Sequence, residues 1–134
     1  MSFFRSRHRS VQTADGPLAP PHMRSGRKAE AEAERFLMEQ GLRLLERNYR
    51  TRRGEIDLVM EDNATIVFVE VRFRTAGALV APEESITAAK RKRISLAAAQ
   101  YLARERHARD RPCRFDVVAI SDELRWLKAA FEAQ

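Results

Sequence analysis

Two short apolar runs that contain charged residues place the strongest limit on how this chain can fold. They lie in the stretch from residue 54 to residue 74, which reads GEIDLVMEDNATIVFVEVRFR. Runs of Ile, Val, Leu and Phe on either side of a polar turn predict two strands, at residues 55–60 and 65–73. A charge buried in a strand costs free energy unless it is paired or bound to a metal. Four charged residues lie inside these runs: Glu55, Asp57, Glu70 and Arg72. Each of them therefore needs a partner of opposite charge or a metal ion.

The alternation of side chains along strands predicts that two of these carboxylates meet. If the hairpin turns around residues 63–64, Asp57 lies opposite Glu70, and a register shift of two residues still leaves them within roughly 8 Å. Two neighbouring carboxylates repel each other, and the pKa of one rises unless a cation lies between them. A hard divalent cation such as Mg²⁺ fits this position because it binds carboxylate oxygens.

The same charges also fit a ladder of ion pairs on a solvated sheet face. In that interpretation Glu70 and Arg72 pair with each other, or with Glu55 and Asp57 on the neighbouring strand. For any single residue this is the commoner explanation. The run IVFV before Glu70 favours instead a strand that is covered on both faces, where a solvated ladder does not belong.

The rest of the chain predicts a mixed α/β domain with helices packed on a small sheet. The segment LRWLKAAF is compatible with a strand or a short helix, and we favour a strand at residues 124–127. Residues 75–84 predict a loop. The predicted helices lie at residues 26–40 and 85–106, and the other predicted strands lie at residues 42–50 and 113–120.

The two predicted helices each bring charged residues towards the sheet. In the first helix, Glu30 falls on the apolar stripe that includes Leu37. A glutamate in this position is more often a side chain at the core boundary than a ligand. In the long helix, Lys90 continues the apolar stripe and begins the basic cluster KRKR. We expect Lys90 and Arg93 to contact phosphates.

Composition and charge limit the classes of protein to which this chain can belong. Its 134 residues are the length of one ordinary domain, and no apolar run is long enough to span a membrane. Cys113 is the only cysteine, which excludes an internal disulfide and a Cys-based zinc site. A net charge of +6 and a pI of about 10.2 favour anionic partners, first nucleic acid and then a membrane surface. The basic N-terminus lacks the apolar stretch of a signal peptide, so we expect a cytoplasmic protein.

Residues 1–25 predict a disordered basic tail in front of a domain at residues 26–134. The segment contains Gly16, Pro17, Pro20 and Pro21 and has no apolar periodicity. About half of the positive excess of the chain lies in this tail and not on the domain. A solubilising extension explains the tail more simply than a nucleic-acid-binding arm.

Several of these segments together resemble the YraN-like bacterial family, an uncharacterised protein family (0102). The resemblance spans about residues 26–131 and rests on GRKAEAEAERFL, RNYRTRRGEIDLVMED, VFVEVRFR, ESITAAKRKRI and RFDVVAI. It implies a restriction-endonuclease-like, PD-(D/E)xK fold, similar to archaeal Holliday-junction resolvases. In that superfamily a helix Glu, a strand Asp and a Glu-x-Lys on the next strand build a magnesium site. Carried over to this sequence, those positions are Glu30, Asp57, Glu70 and Arg72.

The last of these positions departs from the superfamily pattern, because it holds arginine in place of lysine. Arginine does not lose its proton in proteins, so Arg72 is excluded as a general base. It can still orient the attacking water or stabilise the charged phosphorane. The motif EVR also occurs in the YraN-like family, so this departure is shared by the family and this chain.

The resemblance implies a metal-dependent nuclease that acts on branched or single-stranded DNA. Asp57, Glu70 and the carbonyl of Val71 would bind one Mg²⁺ or Mn²⁺, with Glu30 bound directly or through a water. Glu55 has no fixed role in the superfamily, and we expect it to be either an accessory ligand or a partner for a neighbouring arginine. Two chains would pair if the protein acts on symmetric junctions. The alternatives are a nucleic-acid-binding or protein-interaction module without catalysis on the same scaffold, and a structural protein that binds neither metal nor DNA.

Overall fold

Six strands and two α-helices make up the part of the chain that the computed structural model describes, which is residues 10–13, 26–73 and 86–134. No helix in these residues is both long and apolar enough to cross a membrane. The helices are α1 (Gly26–Glu39) and α2 (Ala88–Arg104), and a single 3₁₀ turn lies at Arg106–Ala108. The strands are β1 (Ser10–Thr13), β2 (Arg43–Arg50), β3 (Glu55–Asp62), β4 (Thr65–Phe73), β5 (Cys113–Ile120) and β6 (Leu124–Phe131).

All six strands belong to one mixed sheet in the order β1-β6-β5-β4-β3-β2. Only β4 and β5 run parallel, in a register that places Val69 beside Asp116, and every other neighbouring pair is antiparallel. A parallel pair needs a crossover connection, and α2 lies on this connection. The predicted fold class is confirmed: a small mixed α/β sheet flanked by helices, of the restriction-endonuclease-like type.

The two helices cover opposite faces of the sheet. On one face, Phe36 of α1 packs edge-on against Trp126 of β6, with 5.9 Å between ring centroids. On the other face, Tyr101 of α2 packs edge-on against Phe68 of β4, at 5.8 Å. The residues of the run IVFV in β4 are at most 1% exposed, which confirms the prediction of a strand covered on both faces.

The structure confirms the predicted order of helices and strands from residue 26 onward. The segment LRWLKAAF forms a strand that continues to residue 131, beyond the predicted end at residue 127. The long helix begins later than predicted because Thr87 caps it, accepting a hydrogen bond from the backbone N–H of Lys90 at 3.1 Å. The predicted loop at residues 75–84 lies outside the described residues.

The structure differs from the predicted disordered tail at Ser10–Thr13. These four residues form the edge strand β1, which pairs with β6 in a register that sets Ser10 opposite Lys128. If β1 were absent, β6 would be an edge strand with a row of unpaired backbone N–H and C=O groups. β1 pairs with these groups although it comes from a distant part of the chain. This pairing depends on a segment more than a hundred residues away, so local composition did not predict it. The other residues of the predicted tail lie outside the described part.

A buried ion-pair network links β5 to β3 and to β6. Arg114 Nε donates to the two oxygens of Asp116 at 3.0 and 3.2 Å, and Arg114 Nη1 donates to Asp62 at 2.9 Å. Asp116 also accepts hydrogen bonds from Trp126 Nε1 at 3.0 Å and from the backbone N–H of Ala129 at 2.9 Å. Asp116 is 0% exposed, and these donors compensate for the loss of its hydration.

The turn between β2 and β3 packs directly on the backbone of α2. Thr51 closes the turn, because its hydroxyl donates to the carbonyl of Gly54 at 2.9 Å and its N–H donates to the same carbonyl at 2.8 Å. A Cβ added to Gly54 would lie 2.3 Å from the carbonyl oxygen of Arg93. Only glycine therefore allows the turn to approach α2 this closely.

We expect Gly54→Ala to destabilise the protein by about 1–3 kcal/mol, because the added methyl group collides with rigid helix backbone. Urea denaturation measures the change. Gly26→Ala is the matched control, since nothing lies within 4 Å of a Cβ at Gly26, and its free energy of unfolding should stay near that of the wild type. Equal stabilities for the two variants would contradict the close contact.

Candidate functional site

The hairpin β3–β4 brings two acidic side chains together inside the sheet. Its antiparallel register pairs Leu58 with Val69, and one residue further along each strand this register places Asp57 opposite Glu70. Asp57 is 9% exposed and Glu70 is 5% exposed. The backbone N–H of Val71 donates to Asp57 Oδ2 at 2.8 Å and orients this carboxylate. The structure therefore brings together the two strand carboxylates that the alternation pattern predicted to meet.

The strands depart from regular alternation at Asp57. Ile56 packs in the core beside α2, whereas Leu58 packs in the core beside α1, although residues two apart on a regular strand share a face. The register of β2 and β3 places Asn48 opposite Asp57, and Asn48 has a left-handed backbone with φ of 50°. Both strands are thus irregular where the candidate site lies.

Glu30 of α1 lies close to Asp57 from the helix side. Burial and the charge of Asp57 raise the pKa of Glu30, and a hydrogen bond from the Asn48 side chain acts in the opposite direction. Glu30 and Asn48 line a cavity of about 670 Å³ between α1 and the β2–β3 hairpin, together with the exposed Glu55. Glu55 forms an ion pair with Arg50 at 3.3 Å.

Two cations contact Glu70. Lys90 Nζ of α2 lies 3.0 Å from Glu70 Oε1, and Arg72 Nη1 lies 3.8 Å from the same oxygen. The predicted proximity of Arg72 to Glu70 is present, but the lysine from the helix is nearer. Arg93 is exposed and lines a depression beside Lys90, without an ion pair to any of the described carboxylates.

Burial raises the pKa values of both carboxylates and so disfavours the state in which both are ionised. The pKa of Glu70 is raised to about 7, first by burial and then by the charge of Asp57, while Lys90 opposes the rise. Burial also raises the pKa of Asp57, against the opposing hydrogen bond from Val71 and the charge of Lys90. Added positive charge near these oxygens would therefore stabilise their ionised forms.

The donor set of Asp57 and Glu70 fits a hard divalent cation. Among the described residues, no group of three or more Asp, Glu, His or Cys side chains converges closely enough to share a metal ion. Mg²⁺ commonly uses only one or two carboxylates and keeps several waters. Asp57 and Glu70 meet that requirement, and water-mediated contact by Glu30 stays a prediction. The carbonyl of Val71 as a ligand stays a prediction.

Asn48 is the residue of this site that sequence reasoning missed. Asparagine is depleted in strands, yet it tolerates the left-handed region better than most residues. Its position inside the strand pattern RLLERNYR was therefore a local signal of an irregular backbone. The hydrogen bond to Glu30 depends on α1, which a local pattern does not reveal.

Comparison with known proteins finds relatives that match most of this chain. A family model described as "Uncharacterised protein family UPF0102" matches residues 29–120. A UPF0102 protein of Pseudomonas putida strain GB-1 is 48% identical, over 87% of this chain and 98% of its own length. A UPF0102 protein of Nitrosococcus oceani is 46% identical, over 84% of this chain and 95% of its own. One of Methylobacillus flagellatus is 49% identical, over 81% and 96%.

The pH dependence of stability tests the electrostatics of the site. An unfolded glutamate titrates near 4.3, whereas Glu70 in the folded protein titrates at about 7. The folded state therefore holds an extra proton between these values and loses stability as pH rises through them. We expect Glu70→Gln to stabilise the metal-free protein at about pH 8 by roughly 1–3 kcal/mol relative to its effect at about pH 5. Urea denaturation in EDTA at the two pH values measures the difference.

Glu123→Gln is the control, since Glu123 is an exposed carboxylate whose one ion pair within the described residues is with Arg125 at the same end of β6. Its pH dependence should match that of the wild type. If Glu70→Gln and the wild type lose stability equally between the two pH values, the raised pKa of Glu70 is wrong.

Proposed function

The chain belongs to the uncharacterised protein family UPF0102, and from the geometry of its carboxylates we propose that it is a metal-dependent nuclease that hydrolyses phosphodiester bonds in DNA. The observation that carries this proposal is the pair Asp57 and Glu70, buried side by side with raised pKa values. Lys90 and Arg72 both contact Glu70, whereas no lysine or arginine of the described residues lies within ion-pair distance of Asp57, so ion pairing leaves this second buried carboxylate unexplained. A pair poised to bind a cation accounts for both acids.

The surroundings of the pair support the same function. Carboxylates that can bind Mg²⁺ lie beside two cations, Lys90 and Arg72, that can bind phosphate. The net charge of +6 favours a polyanionic substrate. A cytoplasmic location, where bacterial DNA is found, is part of this proposal.

Each residue of the site has a distinct role in the proposed reaction. When bound by Asp57 and Glu70, Mg²⁺ or Mn²⁺ would supply a water of lowered pKa and a Lewis acid for the scissile phosphate. The N–H of Val71 fixes the orientation of Asp57. Glu30 holds a water at the mouth of the site. Lys90 and Arg72 stabilise the negative charge that develops on the phosphate, and Arg72 does so while it stays protonated.

A binding module without catalysis is the second candidate function, and one contact favours it. Glu70 is already neutralised by Lys90 at 3.0 Å, so the folded protein does not need a metal ion to compensate this charge. In that case DNA binding would depend on Lys and Arg contacts to phosphates and would not respond to divalent metal.

We expect wild-type protein to cleave labelled DNA in Mg²⁺ or Mn²⁺ but not in EDTA. Asp57→Asn and Glu70→Gln should each reduce the rate about a hundredfold or more, because each removes a metal-binding charge while keeping the side-chain shape. The substrates are single-stranded DNA, duplex, flap and four-way junction. Glu39→Gln, an exposed residue at the end of α1, is the control and should cleave like the wild type.

Calorimetric titration with Mn²⁺ separates the two candidate functions. Binding of Mn²⁺ to the wild type, and its loss in Glu70→Gln, supports the nuclease. DNA binding without cleavage in either metal, and without Mn²⁺ binding, supports the non-catalytic module. A wild-type rate retained by both acid variants would reject this site.

A further inference from the structure

Two adjoining depressions between the β2–β3 turn and α2 share one wall. They have volumes of about 440 and 730 Å³, and residues 50–53 of the β2–β3 turn line both. The first depression continues past Arg93 to Lys90, the residue that contacts Glu70. The second continues along α2 to Arg104. The two form a single surface that leads to the candidate site, and we call it the basic groove: Arg52, Arg53, Lys90, Arg93 and Arg104.

The four arginines of the basic groove form no ion pair with the acids near it, Glu55 and Glu70, which pair instead with Arg50 and Lys90. Several arginines elsewhere are paired with carboxylates, as in Arg47 with Glu34 at 2.6 Å and Arg111 with Glu61 at 2.7 Å. In contrast, the four groove arginines are exposed, and no carboxylate among residues 26–73 and 86–134 lies within ion-pair distance of them. A row of unpaired cations attracts a chain of negative charges.

The groove is also rigid at its centre. Gly54 lies against the carbonyl of Arg93, and Thr51 closes the turn with hydrogen bonds to Gly54. Arg52 and Arg53 are therefore carried by a turn that is fixed on α2. A cationic surface ordered before binding loses less entropy when a partner docks.

The side chains that line the groove in the described residues include no aromatic ring. Proteins that hold single-stranded nucleic acid usually stack its bases on aromatic side chains. A groove of arginines without rings instead suits contacts to phosphates, which position a duplex without reading its sequence. The lining therefore favours a double helix whose bases stay paired and stacked.

We propose that the basic groove binds the phosphate backbone of double-helical DNA and guides it to the carboxylate pair. This inference rests on the proposed function and narrows its substrate class from branched or single-stranded DNA to DNA with a duplex segment. Binding is independent of base sequence. Arg52 and Arg53 contact phosphates beside the site, and Arg104 contacts them at the far end of the groove.

The test is fluorescence anisotropy of the full chain with a short labelled duplex and with one of its strands, in EDTA so that nothing is cleaved. The wild type should bind the duplex more tightly than the single strand. The double variant Arg52→Ala/Arg53→Ala should weaken duplex binding about tenfold or more, and reduce the slope of log K against log salt by about 2, because each phosphate contact contributes about 0.9. Arg104→Ala should reduce that slope by about 1.

Arg35→Ala is the matched control, since Arg35 is an exposed arginine on α1 outside the groove. It should leave affinity and salt slope unchanged, and thermal unfolding shows whether each variant is folded. Tighter binding of the single strand, tighter binding of a duplex RNA of the same sequence, or an equal effect of Arg35→Ala would overturn the proposal.

The experiments distinguish failure of the groove proposal from failure of the nuclease proposal. Duplex binding that depends on the groove arginines, without any metal-dependent cleavage, supports the groove and rejects the nuclease. Cleavage that requires Glu70 but is unaffected by Arg52→Ala/Arg53→Ala supports the nuclease and rejects the groove.

Discussion

The burial of Asp57 beside Glu70 is the constraint on which the rest of this structure depends. A sheet with a helix on each face removes water from its central strands, so an acid placed there must find protein donors or cations. For Asp57 the donor is the N–H of Val71, and for Glu70 the cation is Lys90. β4 supplies the first partner and α2 the second, so the crossover helix is as much part of the site as the hairpin.

The contrast with Asp116 shows why burial alone does not make a site. Asp116 is also buried and its pKa is also raised by burial, but Arg114, Trp126 and Ala129 all donate to its oxygens. These donors satisfy both oxygens of Asp116 and hold β5 to β6. Asp57 and Glu70 share fewer donors and repel each other, so their interaction with a further cation is favourable. The difference lies in the number of donors available to each acid.

Much of this arrangement could be predicted from the sequence, because its causes are local. The polar turn at residues 63–64 fixed the register that brings Asp57 to Glu70, and helical periodicity placed Glu30 and Lys90 on inward faces. The unpredicted features all have non-local causes. β1 forms because β6 offers an edge, and Asn48 joins the site because α1 lies above it. The hydrogen bonds that satisfy Asp116 depend in part on Trp126, ten residues further along the chain, on a different strand.

Both edge strands of the sheet, β1 and β2, have features that disfavour pairing with a strand of another molecule. On one side, β1 covers β6 and is itself only four residues long, which leaves little length for another strand to pair with. On the other side, β2 carries the exposed charges of Arg43, Arg47 and Arg50, which disfavour an approaching strand. A protein with so much β-structure and such an apolar interior would otherwise be prone to polymerise through its strands. Short length at one margin and charge at the other protect it from aggregation.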